Sequence, residues 1–355
     1  MHEQVANHMR VCVAVGDGIE SLRAVASSEP ILSEAASRVM RSVNTFSLPE
    51  ALTLVLSGFC VDQGDRGELL VASFFTWARD RVISKSLGYR PGQLCPYFSV
   101  HELFESLFSK SAFKSIANAK PSLYHSEEAA QRLFGETFQK AKMHYNHFIK
   151  AQEKCLLARK YLTLLLARGA AALGAYCQDG IDAVYPYLYD DIVLDRRNIG
   201  FILVQVKNSL KSYHHDEIFP DMDPFKCGLL DKSDLEDGKF PIPIIRLFFS
   251  LGAKTSDTPI ELYTPPPNGT SRTNVKAVAN SRSTYTTYDF VCSGVSEKVL
   301  RPVEESPTPG LWASLTNKSN PWSSFYSVPV PEVLRSQFPG CASDKGHWNN
   351  WVEEF

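Results

Sequence analysis

The chain has 355 residues, room for one large domain or two ordinary ones. Hydrophobic residues make up 44% and charged residues 21%, ordinary globular proportions that exclude wholesale disorder. A formal net charge of −2 excludes a nucleic-acid coat protein, so any contact with nucleic acid must be local. The 8 cysteines form no C-x-x-C pair and no zinc-finger spacing, and read as reduced, mostly buried thiols of an intracellular protein. Met1 to Arg10 carries two histidines and no apolar run, so no signal peptide is expected. No stretch reaches the ~18 uninterrupted apolar residues that span a bilayer, and the best apolar run, Cys155–Ala167, is broken by Arg159, Lys160 and Thr163.

Residues 1–60 read as a helical segment, with apolar spacings of three and four over Ile31–Val43 and Leu48–Leu56. A helix is expected from Asp65 to about Ser84, and Leu69, Leu70, Phe74, Phe75 and Trp77 make it a buried one. Gly88–Pro96 is turn-rich. From His101 to Ala167 the pattern is mainly helical and includes a basic tract with Lys140, Lys142, Lys150 and Lys154. Short strands are expected over 170–176, 180–189 and 199–206, then over 241–251 and 285–292. The stretch 264–283, rich in Pro, Ser, Thr and Asn, reads as an exposed loop, and the chain after Glu304 as an irregular extension packed by its aromatics.

Polar residues placed inside strongly apolar strands mark the candidate site. In Ile202–Lys207 the side chains alternate, so Leu203, Gln205 and Lys207 share one face. Asp182 interrupts the preceding apolar strand, and an antiparallel hairpin would bring it near Gln205 and Lys207. A carboxylate with one or two further oxygens suits Mg²⁺, which takes hard oxygen ligands and keeps several waters. Such an ion binds a phosphate oxygen and lowers the pKa of a bound water. A lysine beside it stabilises developing negative charge or prepares the attacking water. Gln205 offers only a neutral oxygen, so a second acid is needed, and Glu68 on the buried helix is the candidate.

Glu68 on a helix, Asp182 on a strand and Gln205-Val206-Lys207 on the next strand resemble the PD-(D/E)XK nuclease superfamily, which includes restriction endonucleases and Holliday-junction resolvases. The texts around Asp182 and Lys207 are most similar to its Gln-x-Lys branch. The resemblance implies an α/β fold: a restriction-endonuclease-like mixed central sheet flanked by helices, with a large helical insertion. The core would span 61–262, the insertion about 90–165, and an irregular extension 263–355 would pack on the core. The resemblance also implies roles. Asp182 would be the principal ligand of Mg²⁺ or Mn²⁺, Glu68 a ligand or water-orienting acid, Gln205 and the Val206 carbonyl the remaining shell, and Lys207 the catalytic lysine. The partner implied is nucleic acid, DNA before RNA, with no membrane; resolvases and many restriction enzymes act as dimers, so a homodimer is compatible. Asp65-Arg66-Gly67-Glu68 and Tyr89-Arg90-Pro91 are also similar to texts in proteins of mushroom-forming fungi, which implies no function.

Plainer readings stand beside these. Taken singly, Gln205 and Lys207 suit the solvent face of an edge strand, where lysine discourages aggregation. Asp65 and Glu68 suit a helix capping box. His144 and His147 have metal-ligand spacing on an expected helix but no partner acid nearby, and His214 to Glu217 reads as a solvated loop close to the Lys207 strand. The basic tract suits either a phosphate backbone or an ordinary soluble helix face. The functional expectation is a metal-dependent nuclease hydrolysing phosphodiester bonds. The alternative is a catalytically inactive nuclease fold that binds nucleic acid or another protein.

Overall fold

A computed structural model describes residues 10–15, 22–26, 29–42, 46–58, 63–85, 97–152, 158–175, 178–190, 193–209, 213–253, 260–263 and 283–316. It is a mixed α/β protein whose nine-stranded sheet carries helices on both faces.

The chain opens with a separate antiparallel pair, β1 (Arg10–Val15) and β2 (Leu22–Ala26). This corrects the expectation that residues 1–60 are helical throughout. Val11, Val13 and Val15 are β-branched on alternate positions, which favours a pleated strand over a helix. Helices then follow at α1 (Glu29–Ser42), α2 (Leu48–Gly58) and α3 (Gln63–Lys85). In α3, Leu70, Phe74 and Phe75 are buried and Trp77 packs on the core, whereas Leu69 is exposed. The buried Arg79 guanidinium ties α3 to its neighbours, donating to Glu34 of α1 (2.5 Å) and to the Tyr145 carbonyl (3.0 Å).

Next come β3 (Phe98–Ser99), α4 (Val100–Leu107), α5 (Lys110–Ala117), α6 (Glu127–Gln131) and α7 (Phe134–Phe138). A full capping box starts α4: Ser99 Oγ accepts from Glu102 N, and the Glu102 carboxylate accepts from Ser99 N. The region 101–167 is not helical throughout, because β4 (Lys142–Met143) and β5 (His147–Lys150) interrupt it before α8 (Arg159–Arg168). The cause is tertiary: the later strands Ala183–Leu188 and Ala170–Leu173 offer backbone partners to these two segments. His144 and His147 therefore stand on sheet strands and their connection rather than on a helix, and His147 is buried with its ring bonded to Asn146 (2.8 Å). The call on Lys154 falls outside the described residues.

The second half builds the sheet. β6 (Ala170–Leu173), β7 (Ala183–Leu188) and β8 (Ile199–Lys207) form an antiparallel meander. Helix α9 (His215–Asp221) crosses to β9 (Ile244–Ser250), which runs parallel to β8, and β11 (Thr287–Ser293) is parallel to β9. β10 (Ile260–Leu262) closes that edge antiparallel to β11. β8, β9 and β11 are buried along nearly their whole length, as parallel strands covered on both faces must be, and this explains their near-continuous apolar text.

Pro186 sits in the middle of this sheet and needs an account. Tyr189 N–H donates to the Asn198 carbonyl of the β8 side (2.8 Å), so the odd-numbered peptides of β7 face β8 and Pro186 faces the other way. On that side β7 pairs with β6 at Ala183 and Val184 and with β4 only at Leu188. Pro186 falls in the gap between those partners, where no donor is required.

One face of the sheet packs on α3, where Phe75 stacks on Tyr185 (centroids 4.2 Å apart), and on α7, where Phe138 meets Tyr187 and Tyr288. The short helices α10 (Arg301–Glu304) and α11 (Pro309–Leu315) complete that layer, with Trp312 against Phe74. The other face packs on α8 and α9. There, Arg246 of β9 donates from Nε and Nη2 to both oxygens of Asp289, its register partner on β11 (2.7 and 2.5 Å), and from Nη1 to the Phe219 carbonyl of α9 (2.7 Å). Among the described residues no helix is long and apolar enough to cross a membrane.

Candidate functional site

The ladder between β7 and β8 stops at Ala183, opposite Val204. One residue further, the chain bends at Asp182, whose carbonyl accepts from Gly174 N (2.8 Å). The Val206 N–H, which a longer ladder would have met, is taken by the Asp182 side chain instead: Oδ2 accepts it at 2.5 Å. The same oxygen accepts from Gln205 Nε2 at 2.7 Å. Both bonds fall on Oδ2, so Oδ1 is the oxygen left to meet a ligand.

Gln205 is buried, and Lys207 is half-buried at the end of the strand, on the same face. The Lys207 carbonyl turns toward β9, where Leu251 N donates to it (2.9 Å). Alternation then turns the Val206 carbonyl toward β7 and Asp182, the side on which the sequence reading needs it.

Glu68 comes from the opposite layer, in the second turn of α3. The approach is made possible by Gly67. A Cβ there would lie 2.8 Å from Asn208 Cβ and 3.2 Å from Val206 Cγ1. Asn208, the residue after Lys207, fastens the joint: its Nδ2 donates to the Gln63 carbonyl at the start of α3 (2.9 Å) and to the Thr316 carbonyl (3.2 Å). The helix starts at Gln63, so Asp65 lies inside its first turn and not at the N-cap position that the capping-box reading requires. Gly67→Val is expected to cost about 1–3 kcal/mol by overpacking this joint. Urea denaturation measures it, and an unchanged midpoint would mean that the contact has slack.

The charges of these groups meet on Asp182. Burial pushes its carboxyl up from the ordinary range to about 7; the Val206 N–H bond pulls it down, the Glu68 charge adds to the rise, and the Lys207 charge opposes it. Glu68, Asp182, Gln205 and Lys207 are thus gathered at one end of the sheet, with two acids and one lysine in electrostatic contact. Among the described residues no group of three or more His, Cys, Asp or Glu side chains is placed to hold a metal ion. The oxygens that would face a cation here are Asp182 Oδ1, the Gln205 side-chain oxygen, the Val206 carbonyl and the Glu68 carboxylate, which is itself already engaged in an interaction.

The basic tract divides. Exposed Lys150 ends β5 opposite Leu173, which pairs with Ala183, so it stands at the Asp182 end of the sheet. Lys142 pairs with Leu188 at the far end of β7, and Lys140 lies beside it. His215 begins α9 with its ring 6.3 Å from that of Phe248, the register partner of Gln205, so this histidine is nearer the site than a solvated loop would be. Sequence reasoning missed Gly67 and Asn208. The available signal was a glycine within a heavily apolar helix and a second polar residue directly after Gln-x-Lys.

No curated protein and no solved structure matches the chain. Over residues 1–291 the chain matches, and so belongs to, the family described as a domain of unknown function (DUF8736).

Proposed function

We propose that this protein is a metal-dependent nuclease of the PD-(D/E)XK type, hydrolysing phosphodiester bonds, in DNA more readily than in RNA. The observation that carries the reading is the seating of Asp182. Its carboxylate is partly buried, oriented by Gln205 and the Val206 N–H through one oxygen, and within electrostatic reach of a second acid and a lysine. A carboxylate raised to about 7 by burial and a neighbouring acid is one that a bound cation would relieve. The order of elements supports the same reading: an acid-bearing helix, a three-stranded meander with Asp and then Gln-x-Lys, a crossover helix and a parallel strand.

The donor set fits Mg²⁺ or Mn²⁺. Mg²⁺ commonly takes one or two carboxylates, keeps several waters and fills its shell with substrate phosphate, so a three-acid cluster is not required. Asp182 and Glu68 would hold the ion, with the Gln205 and Val206 oxygens beside them. The ion supplies Lewis-acid polarisation of the scissile phosphate and a more acidic water. Gln205 fixes the Asp182 carboxylate, and the Lys207 ammonium stabilises negative charge gathering on the phosphate oxygens.

Incubating purified protein with plasmid and with single-stranded DNA, with Mg²⁺ or Mn²⁺ and with chelator, tests the reading. Cutting is expected only with metal, and Lys207→Ala is expected to lower it about 10²–10⁴-fold while leaving the melting temperature near that of wild type. Folded wild type that cuts neither substrate with either metal would sink the proposal. That outcome would favour the second reading, a silent nuclease fold that binds nucleic acid or a protein. Its support is that Gln205 replaces an acid and leaves two carboxylates at the site.

A further inference from the structure

A groove of about 630 Å³ opens at the other end of β7 from Asp182. Its rim holds Tyr97, His101, Glu102, Lys140, Lys142 and Asp190. Tyr97 is 68% exposed although its neighbour Phe98 is buried, so its ring serves little purpose in the core. Lys142 holds its ammonium 5.0 Å from the centroid of that ring. Lys140 is 81% exposed and meets Asp190 only at 3.8 Å, an open ion pair that holds the lysine weakly. The Glu102 carboxylate is committed to the N-terminus of α4, accepting from Ser99 N (2.7 Å) and Ser99 Oγ (2.9 Å). What the groove presents outward is an aromatic face with two ammonium groups, Lys140 and Lys142, interleaved with the carboxylates of Glu102 and Asp190.

We propose that this groove binds a single strand of nucleic acid, one base stacking on Tyr97 and the adjoining phosphates lying against Lys142 and Lys140. Sequence-tolerant strand binding needs this pairing of a stacking face with cations along the backbone. Exposed aromatics and lysines are ordinary on a surface one at a time. Here they share one concavity, and the ammonium already sits over the ring.

The groove also deepens the nuclease reading and rests on it in one respect. Lys142 pairs with Leu188, and Asp182 precedes Ala183 at the other end of the same strand. Six strand residues span roughly 20 Å at the usual rise. At about 3.4 Å per stacked nucleotide, a strand held on Tyr97 reaches Asp182 after roughly six nucleotides. The groove is then a holding point that sets which stretch of strand reaches the acids.

Two measurements test this. Fluorescence anisotropy with labelled oligo-dT of about twenty nucleotides, in chelator at low salt, reads binding alone. Tyr97→Ala combined with Lys142→Ala is expected to weaken it at least tenfold, and Tyr97→Phe, which keeps the stacking face, to restore most of the loss when Lys142 is retained. Absent wild-type binding, or an affinity unchanged in the double variant, would overturn the proposal; so would duplex bound more tightly than the single strand. The second measurement follows metal-dependent cutting of long strands and of oligonucleotides shorter than about six nucleotides. The double variant should lose rate on the long strand and keep it on the short one. Equal losses on both would overturn the holding role. If wild type cuts nothing but the anisotropy result stands, the nuclease reading fails and the groove remains.

Discussion

Asp182→Asn is expected to make the metal-free protein more stable at pH 8 while abolishing cleavage. The wild-type carboxyl is raised to about 7 in the folded protein by burial, partly offset by the Val206 N–H bond, against about 3.9 in the unfolded chain. Between those two values the folded state keeps a proton that the unfolded state has released. Stability therefore falls as pH rises from about 4 to about 7 and stays low above it, a loss of up to about 4 kcal/mol. Asparagine removes the charge and keeps the shape, and the Gln205 amide is able to turn so that its oxygen or its NH₂ faces the new group. A clear rise in melting temperature at pH 8 in chelator is expected, shrinking to almost none near pH 3, where the carboxyl carries its proton in the folded and the unfolded chain alike. Saturating Mg²⁺ should return much of the difference to wild type alone, because a ligand that binds only the folded state stabilises it. Because the cation competes with the Asp182 proton, wild type should need less Mg²⁺ for half-maximal cutting at pH 8 than at pH 6. A variant no more stable than wild type at pH 8 would mean that the carboxylate is better solvated than its seat indicates. Retained cleavage would remove Asp182 from the chemistry.

Asp289→Ala is expected to cost about 3–5 kcal/mol, a large share of the about 5–15 kcal/mol that keeps a typical domain folded. Asp289 is fully buried and takes two bonds from the Arg246 guanidinium, with Thr287 Oγ1 donating a third to it (3.1 Å). Burial lowers the pKa of Arg246 and the Asp289 charge and hydrogen bonds raise it on balance. Deleting Asp289 leaves burial unopposed, yet a guanidinium does not readily give up its proton, so an unpaired cation is left in the core. Urea denaturation measures the cost. The paired replacement Arg246→Met with Asp289→Leu should recover most of it, since well-packed apolar groups often substitute for a buried pair. A loss below about 1 kcal/mol in the single variant would show that water reaches the pair.

The hairpin bearing Asp182, Gln205 and Lys207 was legible in the sequence because burial on both faces leaves a distinctive text. Polar residues stand out in Ile199–Lys207, where nearly every other position is apolar. The expected strands at 199–206 and 285–292 appear as Ile199–Lys207 and Thr287–Ser293. The helix expected from Asp65 begins two residues earlier, at Gln63. The strands β4 and β5 were missed because two to four residues carry too little periodicity, and partners distant in sequence decide their conformation. The joint between α3 and β8 was missed for a similar reason: a close approach depends on what Gly67 meets, Asn208 and Val206, and no local pattern records that. The groove at Tyr97 draws on β3, β4 and the end of β7, so its lysines looked like part of one basic helix.

The Asn208 clasp sets an order of events during synthesis. The hairpin from Asp182 to Lys207 is short and local, so it pairs early as the chain leaves the ribosome. One of the two carbonyls that Asn208 holds belongs to Gln63, made long before, and the other to Thr316, made long after. Until that later stretch emerges, Asn208 holds the helix bearing Glu68 through Gln63 but lacks its second partner. The joint beside Lys207 is therefore completed only after Thr316 has been made.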